Sequence, residues 1–200
     1  MGNSAIINLE SFSFQGDVLD ISYENMGIIY NIFKSKESCS EIDYIDNGEE
    51  HKMEKSSYDN AVIFFFLNSM MGNKSKVIFI EEIYEYLKEK GTLYIWDIDK
   101  KLNMSYKNNI KVILPQGNSK EFTLKDYNIF KDSSLKNTIN ILEPFFELEE
   151  YKAWDGIYFI RAKKKGRELT NAKSITSRNK LKIHSQQLSN KIFKGVFKKS

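Results

Sequence analysis

The run Ala61-Val62-Ile63-Phe64-Phe65-Phe66-Leu67 constrains the fold of this chain more than any other stretch. It is the longest uninterrupted apolar segment of the sequence. A membrane-spanning helix needs about 20 such residues, so this run is far too short to cross a bilayer. A surface element would show alternation or helical spacing, and the run shows neither. Large and β-branched apolar residues in sequence, bounded by Tyr58-Asp59-Asn60 and Asn68, predict a central strand over 58–67 that is covered on both faces. Such a strand requires a sheet with a packed layer on each side. The 41% hydrophobic content of the 200 residues can supply those layers.

The flanking segments supply the pattern. Residues 17–22, with Val18, Leu19 and Ile21, read as a first strand, and Asp20 sits where it would end. Gly27 opens a helix over 27–36, with Ile28, Ile29, Ile32 and Phe33 on one face. A strand that turns straight into a helix presents backbone N–H groups to an anionic or polar ligand. Ser40 to Asp46 reads as a second strand ending in acid, and Asn47-Gly48 breaks it. Residues 75–89 carry Val77, Ile80, Ile83, Tyr84 and Leu87 at helical spacing. Gly91 is expected to close that helix as a left-handed cap. Thr92 to Asp97 is a further buried strand. Strand and helix in alternation with short links predict an α/β fold with a doubly wound, Rossmann-like, mostly parallel sheet.

Residues 1–15 read as a lead-in. Over 103–124, Pro115-Gln116-Gly117-Asn118 divides two short strands and predicts a hairpin insertion. Ser133 or Ser134 is positioned to cap a helix through Leu135, Ile139 and Leu142. Phe146–Trp154 and Ile157–Ala162 flank Asp155-Gly156, a strong hairpin signal. The domain thus spans 1–165, and residues 166–200 form a tail. Residues 161–200 hold 13 Lys/Arg and one Glu, while the other 160 hold 17 basic and 26 acidic residues. An acidic globule therefore carries a basic tail. Apolar positions among its lysines, from Leu181 to Phe197, suit a basic amphipathic helix for an anionic surface, nucleic acid or another protomer, and equally a solvated tail.

Several chemistries are poorly supported. His51, His184 and the lone Cys39 offer no metal-ligand spacing. No Walker loop or serine nucleophile elbow occurs. The first residues, MGNSAIINLE, lack the basic and apolar regions of a signal peptide. With a single cysteine and no transmembrane segment, the expected location is cytoplasmic. Trp96 and Trp154 fall in strand patterns and read as core.

The ordered segments resemble the class I S-adenosylmethionine-dependent methyltransferases over roughly residues 14–165. "GDVLDISYENMG" is similar to that family's first motif, "SSYDNAVIFFFL" to its central strand, and "IYEYLKEKGTLYIWDID" to its helix, glycine turn and following strand. "LEPFFELEEYKAWDGIYFIRAKK" resembles its closing helix and hairpin. The resemblance implies that S-adenosylmethionine lies over the first loop, near Asp20, Ser22, Tyr23, Glu24 and Gly27. Asp43 or Asp46 would hold the ribose hydroxyls, and Phe66 would line the same site. Asn68, Asp97 and Asp99, past the next strand ends, would face an acceptor.

Two departures bear on activity. Ser22, Glu24 and Met26 stand where the family has glycine, and Glu24 brings a carboxylate near where the cofactor's own would lie. Like charges at ~4 Å cost about 1 to 4 kcal/mol, depending on the effective dielectric. Asp20 and Asp59 are also close in sequence, which shortens the fold by about one βα unit. A methyltransferase-like binding or regulatory protein without catalysis is the alternative that these departures leave open.

Overall fold

A computed structural model describes residues 3–22, 27–34 and 54–166. The apolar run forms the middle of a sheet, as its composition requires. Strand β3 (Tyr58–Phe64) lies between β2 (Val18–Ser22) and β4 (Leu87–Ile98), parallel to both. Strand β8 (Ile157–Lys164) pairs antiparallel with β4, and β7 (Phe146–Trp154) pairs antiparallel with β8. The order is therefore β2-β3-β4-β8-β7, and only β8 runs against the rest. Asp155-Gly156 makes the final turn, with φ of 45° and 78°, as two-residue hairpins of this twist require.

Helices α2 (Gly72–Tyr86) and α3 (Leu135–Leu142) cover one face. Phe79, Ile80 and Ile83 of α2 and Ile141 and Leu142 of α3 meet Leu19, Ile21, Ala61, Ile63, Leu93 and Ile95 there. Ser134 is the cap of α3: its side chain accepts from the Asn137 N–H. The other face is covered differently. Strand β1 (Asn3–Asn8) pairs parallel with β5 (Tyr106–Ile113), which pairs antiparallel with β6 (Ser119–Asp126). This second sheet and the short helix α1 (Ile28–Lys34) pack on Val18, Val62, Phe64, Trp96 and Phe159. Alternation explains the packing: Ala5, Ile7, Ile110, Val112 and Leu124 are buried, while Ile6, Lys111 and Lys125 point outward or toward the rim.

Three expectations are corrected. Residues 3–8 are a strand, not part of a lead-in, because their partner is the distant β5. The helix ends at Tyr86, and Leu87 is already extended (φ −69°, ψ 139°). Gly91 is no left-handed cap. It lies within β4, where the β3–β4 register jumps from Tyr58↔Leu87 to Asn60↔Thr92, and the positive φ (61°) belongs to Lys90. A Cβ at Gly91 would come within 2.9 Å of the Lys88 carbonyl oxygen, so glycine serves close approach at this bulge. The expected strand at 40–46 and the tail at 167–200 lie outside the described residues. No described helix is long and apolar enough to cross a membrane.

Candidate functional site

The carboxyl ends of β2, β3 and β4 meet at one edge of the central sheet, where ligands of open α/β sheets bind. On β2, Leu19 and Ile21 face the helices, so Asp20 and Ser22 share the phase of Val18 and turn toward the second sheet. The Ser22 hydroxyl donates to Asp20 Oδ1 at 2.5 Å. Burial pushes the Asp20 carboxyl up to about 6, and the bond from Ser22 offsets part of that rise.

Gly27 precedes α1 with φ of 60°. Its carbonyl accepts from the Asn31 backbone N–H (3.0 Å) and from Asn31 Nδ2 (2.6 Å). A Cβ here would lie 3.8 Å from both Asn31 Nδ2 and Lys120 Nζ, which is ordinary contact. Glycine is therefore needed for the backbone angle rather than for space. The same measurement reveals a residue that the sequence reading missed. Lys120 reaches from β6 to the strand-to-helix turn. The available signal was phase, since Lys120 alternates in step with inward-facing Phe122, Leu124 and Asp126.

Tyr23, Glu24, Asp43 and Asp46 lie outside the described residues. Phe66 turns to the helical side, its ring 5.3 Å from that of Phe79. Its neighbour Phe65 adopts φ of 52°, is buried, and packs edge-on against Phe122. Asn68 and Asp97 are brought together. Asn68 donates through its backbone N–H to Asp97 Oδ2 (3.0 Å) and through Nδ2 to Asp97 Oδ1 (2.7 Å). Asp97 is wholly buried and also accepts from the Ile98 N–H at 2.7 Å. Burial pushes Asp97 up to about 6, against these bonds and the nearby Lys76 charge. Asp99 accepts from the Leu135 N–H at 3.0 Å, at the start of α3. These three residues thus fasten the turn after β3 and the start of α3.

Beneath this edge sit three buried lysines, Lys76, Lys100 and Lys131. Lys76 Nζ donates to the Asp132 carbonyl at 2.8 Å. Lys100 Nζ donates to the carbonyls of Asn128 (2.6 Å), Lys131 (2.8 Å) and Met104 (3.3 Å) and lies 3.6 Å from Asp126 Oδ2. Lys131 Nζ donates to the Asn68 carbonyl and lies 3.0 Å from Asp126 Oδ2. Burial holds Lys76 below its usual range. Reading lysines as solvated hides such a knot, although Lys76 does share a helical phase with Phe79, Ile80 and Ile83. No three described His, Cys, Asp or Glu residues group as metal ligands.

No family profile matches the chain. No curated protein matches it in sequence. Solved structures do match. The 1,6-didemethyltoxoflavin-N1-methyltransferase of Burkholderia thailandensis, solved with bound 1,6-didemethyltoxoflavin and S-adenosylhomocysteine, is 10% identical with a TM-score of 0.50. That match covers 76% of this chain and 72% of the other. A SAM-dependent methyltransferase from Methanosarcina mazei is 16% identical with a TM-score of 0.46, over 78% and 96% of the two chains. At such identities likeness speaks to fold alone, and the first match carries it. Together with the strand order and the single reversed strand, it shows that this chain has the class I S-adenosylmethionine-dependent methyltransferase fold.

Proposed function

We propose that the protein binds S-adenosylmethionine and transfers its methyl group to an acceptor still to be identified. One observation carries the reading: Lys120 Nζ reaches to 3.8 Å from where a Cβ on Gly27 would stand, just before α1, and Asp20 lies near the carboxyl end of β2 on the face turned toward the sheet that carries Lys120. An acceptor and a cation on this face suit the zwitterionic methionine end of this cofactor. Asp20 would take the ammonium and Lys120 the carboxylate. Ser22, Tyr23 and Glu24 would complete the loop, Asp43 or Asp46 would hold the ribose hydroxyls, and Phe66 would support the site from the helical side. The sulfonium is an activated methyl donor, so the residues need mainly to align the reactants. Asn68, Asp97 and Asp99 would position the acceptor edge. Cytoplasmic residence goes with this reading, as does contact of the basic tail with an anionic partner.

Isothermal calorimetry with S-adenosylmethionine and S-adenosylhomocysteine tests the proposal. Micromolar binding is expected, weakened at least about tenfold by Lys120→Glu, a loss of about 1.4 kcal/mol. Absence of heat at millimolar ligand sinks the reading. A second reading, a methyltransferase-like binding protein without catalysis, is favoured by the bonding of Asn68, Asp97 and Asp99 to the protein itself. Cofactor binding without methyl transfer to any of a broad acceptor panel would favour it.

A further inference from the structure

Nine large apolar side chains are exposed among the described residues, and six of them gather at one end of the molecule: Met71, Leu102, Met104, Tyr127, Ile129 and Phe130. They come from three segments, before α2, after β4 and after β6. Hydrogen bonds join these segments. The Asn103 N–H donates to the Ile129 carbonyl at 2.7 Å, and Asn128 Nδ2 approaches Met71 Sδ at 3.3 Å. Below them, Lys100 holds the carbonyls of Met104 and Asn128. The apolar tip is thus a fixed platform. Phe130, 81% exposed, is the most exposed of the six.

Positive charge predominates around this tip. Lys74, Lys101, Lys107 and Lys125 are exposed, and none of them forms an ion pair among the described residues. Lys107 and Lys125 stand directly opposite each other in the β5–β6 register. Like charges in that relation are unfavourable in isolation, and an external anion relieves them. Asp155, in the turn whose carbonyl accepts from Asn108, is an exposed acid at this end, and the other two are engaged by the protein. Asp126 is buried, and Asp132 Oδ1 accepts the Ser134 N–H. Glu121 pairs with Lys111 toward the other end of the same hairpin.

We propose that this edge docks on an anionic phospholipid bilayer. Aliphatic and aromatic side chains on this tip enter the acyl boundary, while lysines behind them reach the phosphates, their stems lying along apolar surface. Exposed apolar side chains with lysines around them suit a lipid interface, which accepts apolar groups and offers phosphates at the same surface. Met71 follows the carboxyl end of β3, and Leu102 and Met104 follow that of β4, so docking would turn the carboxyl edge of the sheet toward the membrane.

The test uses the full chain with Phe130→Trp and vesicles of phosphatidylcholine, with or without phosphatidylglycerol. With the anionic lipid, the new tryptophan should shift to the blue and be quenched by acyl-brominated lipid, above the signal of the parent protein. Ile129→Asp with Phe130→Asp should lower partitioning at least about tenfold, since exposed side chains can be exchanged with little effect on the fold. Lys107→Glu with Lys125→Glu should lower it several-fold and reduce its dependence on anionic lipid. Vesicle binding that leaves the new tryptophan in water would assign binding to the tail and overturn the proposal. A blue shift without vesicles, accompanied by a dimer in light scattering, would overturn it in favour of a second copy.

Discussion

The two faces of the central sheet are covered by different means. On one, α2 and α3 place apolar residues at helical spacing against β2, β3 and β4. On the other, a second sheet built from β1, β5 and β6 does most of the covering among the described residues, with the short α1 beside it. Helices bring a layer that is local in sequence. The second sheet brings one whose parts are distant, and it also delivers Lys120 to the Gly27 turn and Lys107 and Lys125 to the apolar tip. The covering layer on that face is therefore the one that equips the edge of the sheet.

The largest test of this difference lies where the layers are tied. Lys100→Met should cost about 4 kcal/mol, because it leaves three carbonyls without their buried donor and Asp126 with Lys131 as its remaining cation. Urea denaturation measures it, and a loss under 1 kcal/mol would show that the tie is dispensable. Next come paired truncations, Ile110→Ala in β5 and Ile83→Ala in α2, both buried. Each should cost about 3 kcal/mol in a single cooperative transition. A much smaller loss for Ile110→Ala, or a separate early transition, would reduce the second sheet to a loosely attached flap.

Smaller again is the effect of Asp20. Its folded value of about 6 exceeds the ordinary 3.8, so the folded protein holds a proton that the unfolded chain has released. Stability from this group is therefore lost as pH rises through that window. Asp20→Asn should raise stability at neutral pH, by less than the truncations remove, and leave it unchanged in stronger acid. Equal effects at both pH values would place the carboxylate in water. Ser134→Ala should cost about 1 kcal/mol through loss of the α3 cap, and circular dichroism melting follows it.

The same contrast decides what the sequence reveals. The apolar run of β3, the helical phase of α2 and α3, and the Asp155-Gly156 and Pro115–Asn118 turns are all local signals, and each marks its element. Strand β1 has no turn partner nearby, so Ala5 and Ile7 carry too little pattern to distinguish a strand from a lead-in. Gly91 shows the limit of reading a glycine by position: after a lysine at the end of a helical pattern it suggests a cap, yet its need arises from a bulge against β3. At the edge of the sheet, Asp97 and Asp99 are visible as strand-end acids. Their partners Asn68 and Leu135 depend on tertiary packing, as do the burial of Lys76 and the reach of Lys120.

The pairing of β1 with β5 also sets a timetable for biosynthesis. Asn3 pairs with Asn108, so the first described strand leaves the ribosome about 100 residues before its partner. At roughly 5–20 residues per second, the nascent β1 waits about 5 to 20 s with Ala5 and Ile7 exposed. Strand β2 waits much less, because its partner β3 lies about 40 residues on. Hydrogen exchange on ribosome-bound chains of increasing length should accordingly find β1 unprotected until β5 has emerged. Protection of β1 in shorter chains would mean that it forms transient pairings elsewhere before its partner arrives.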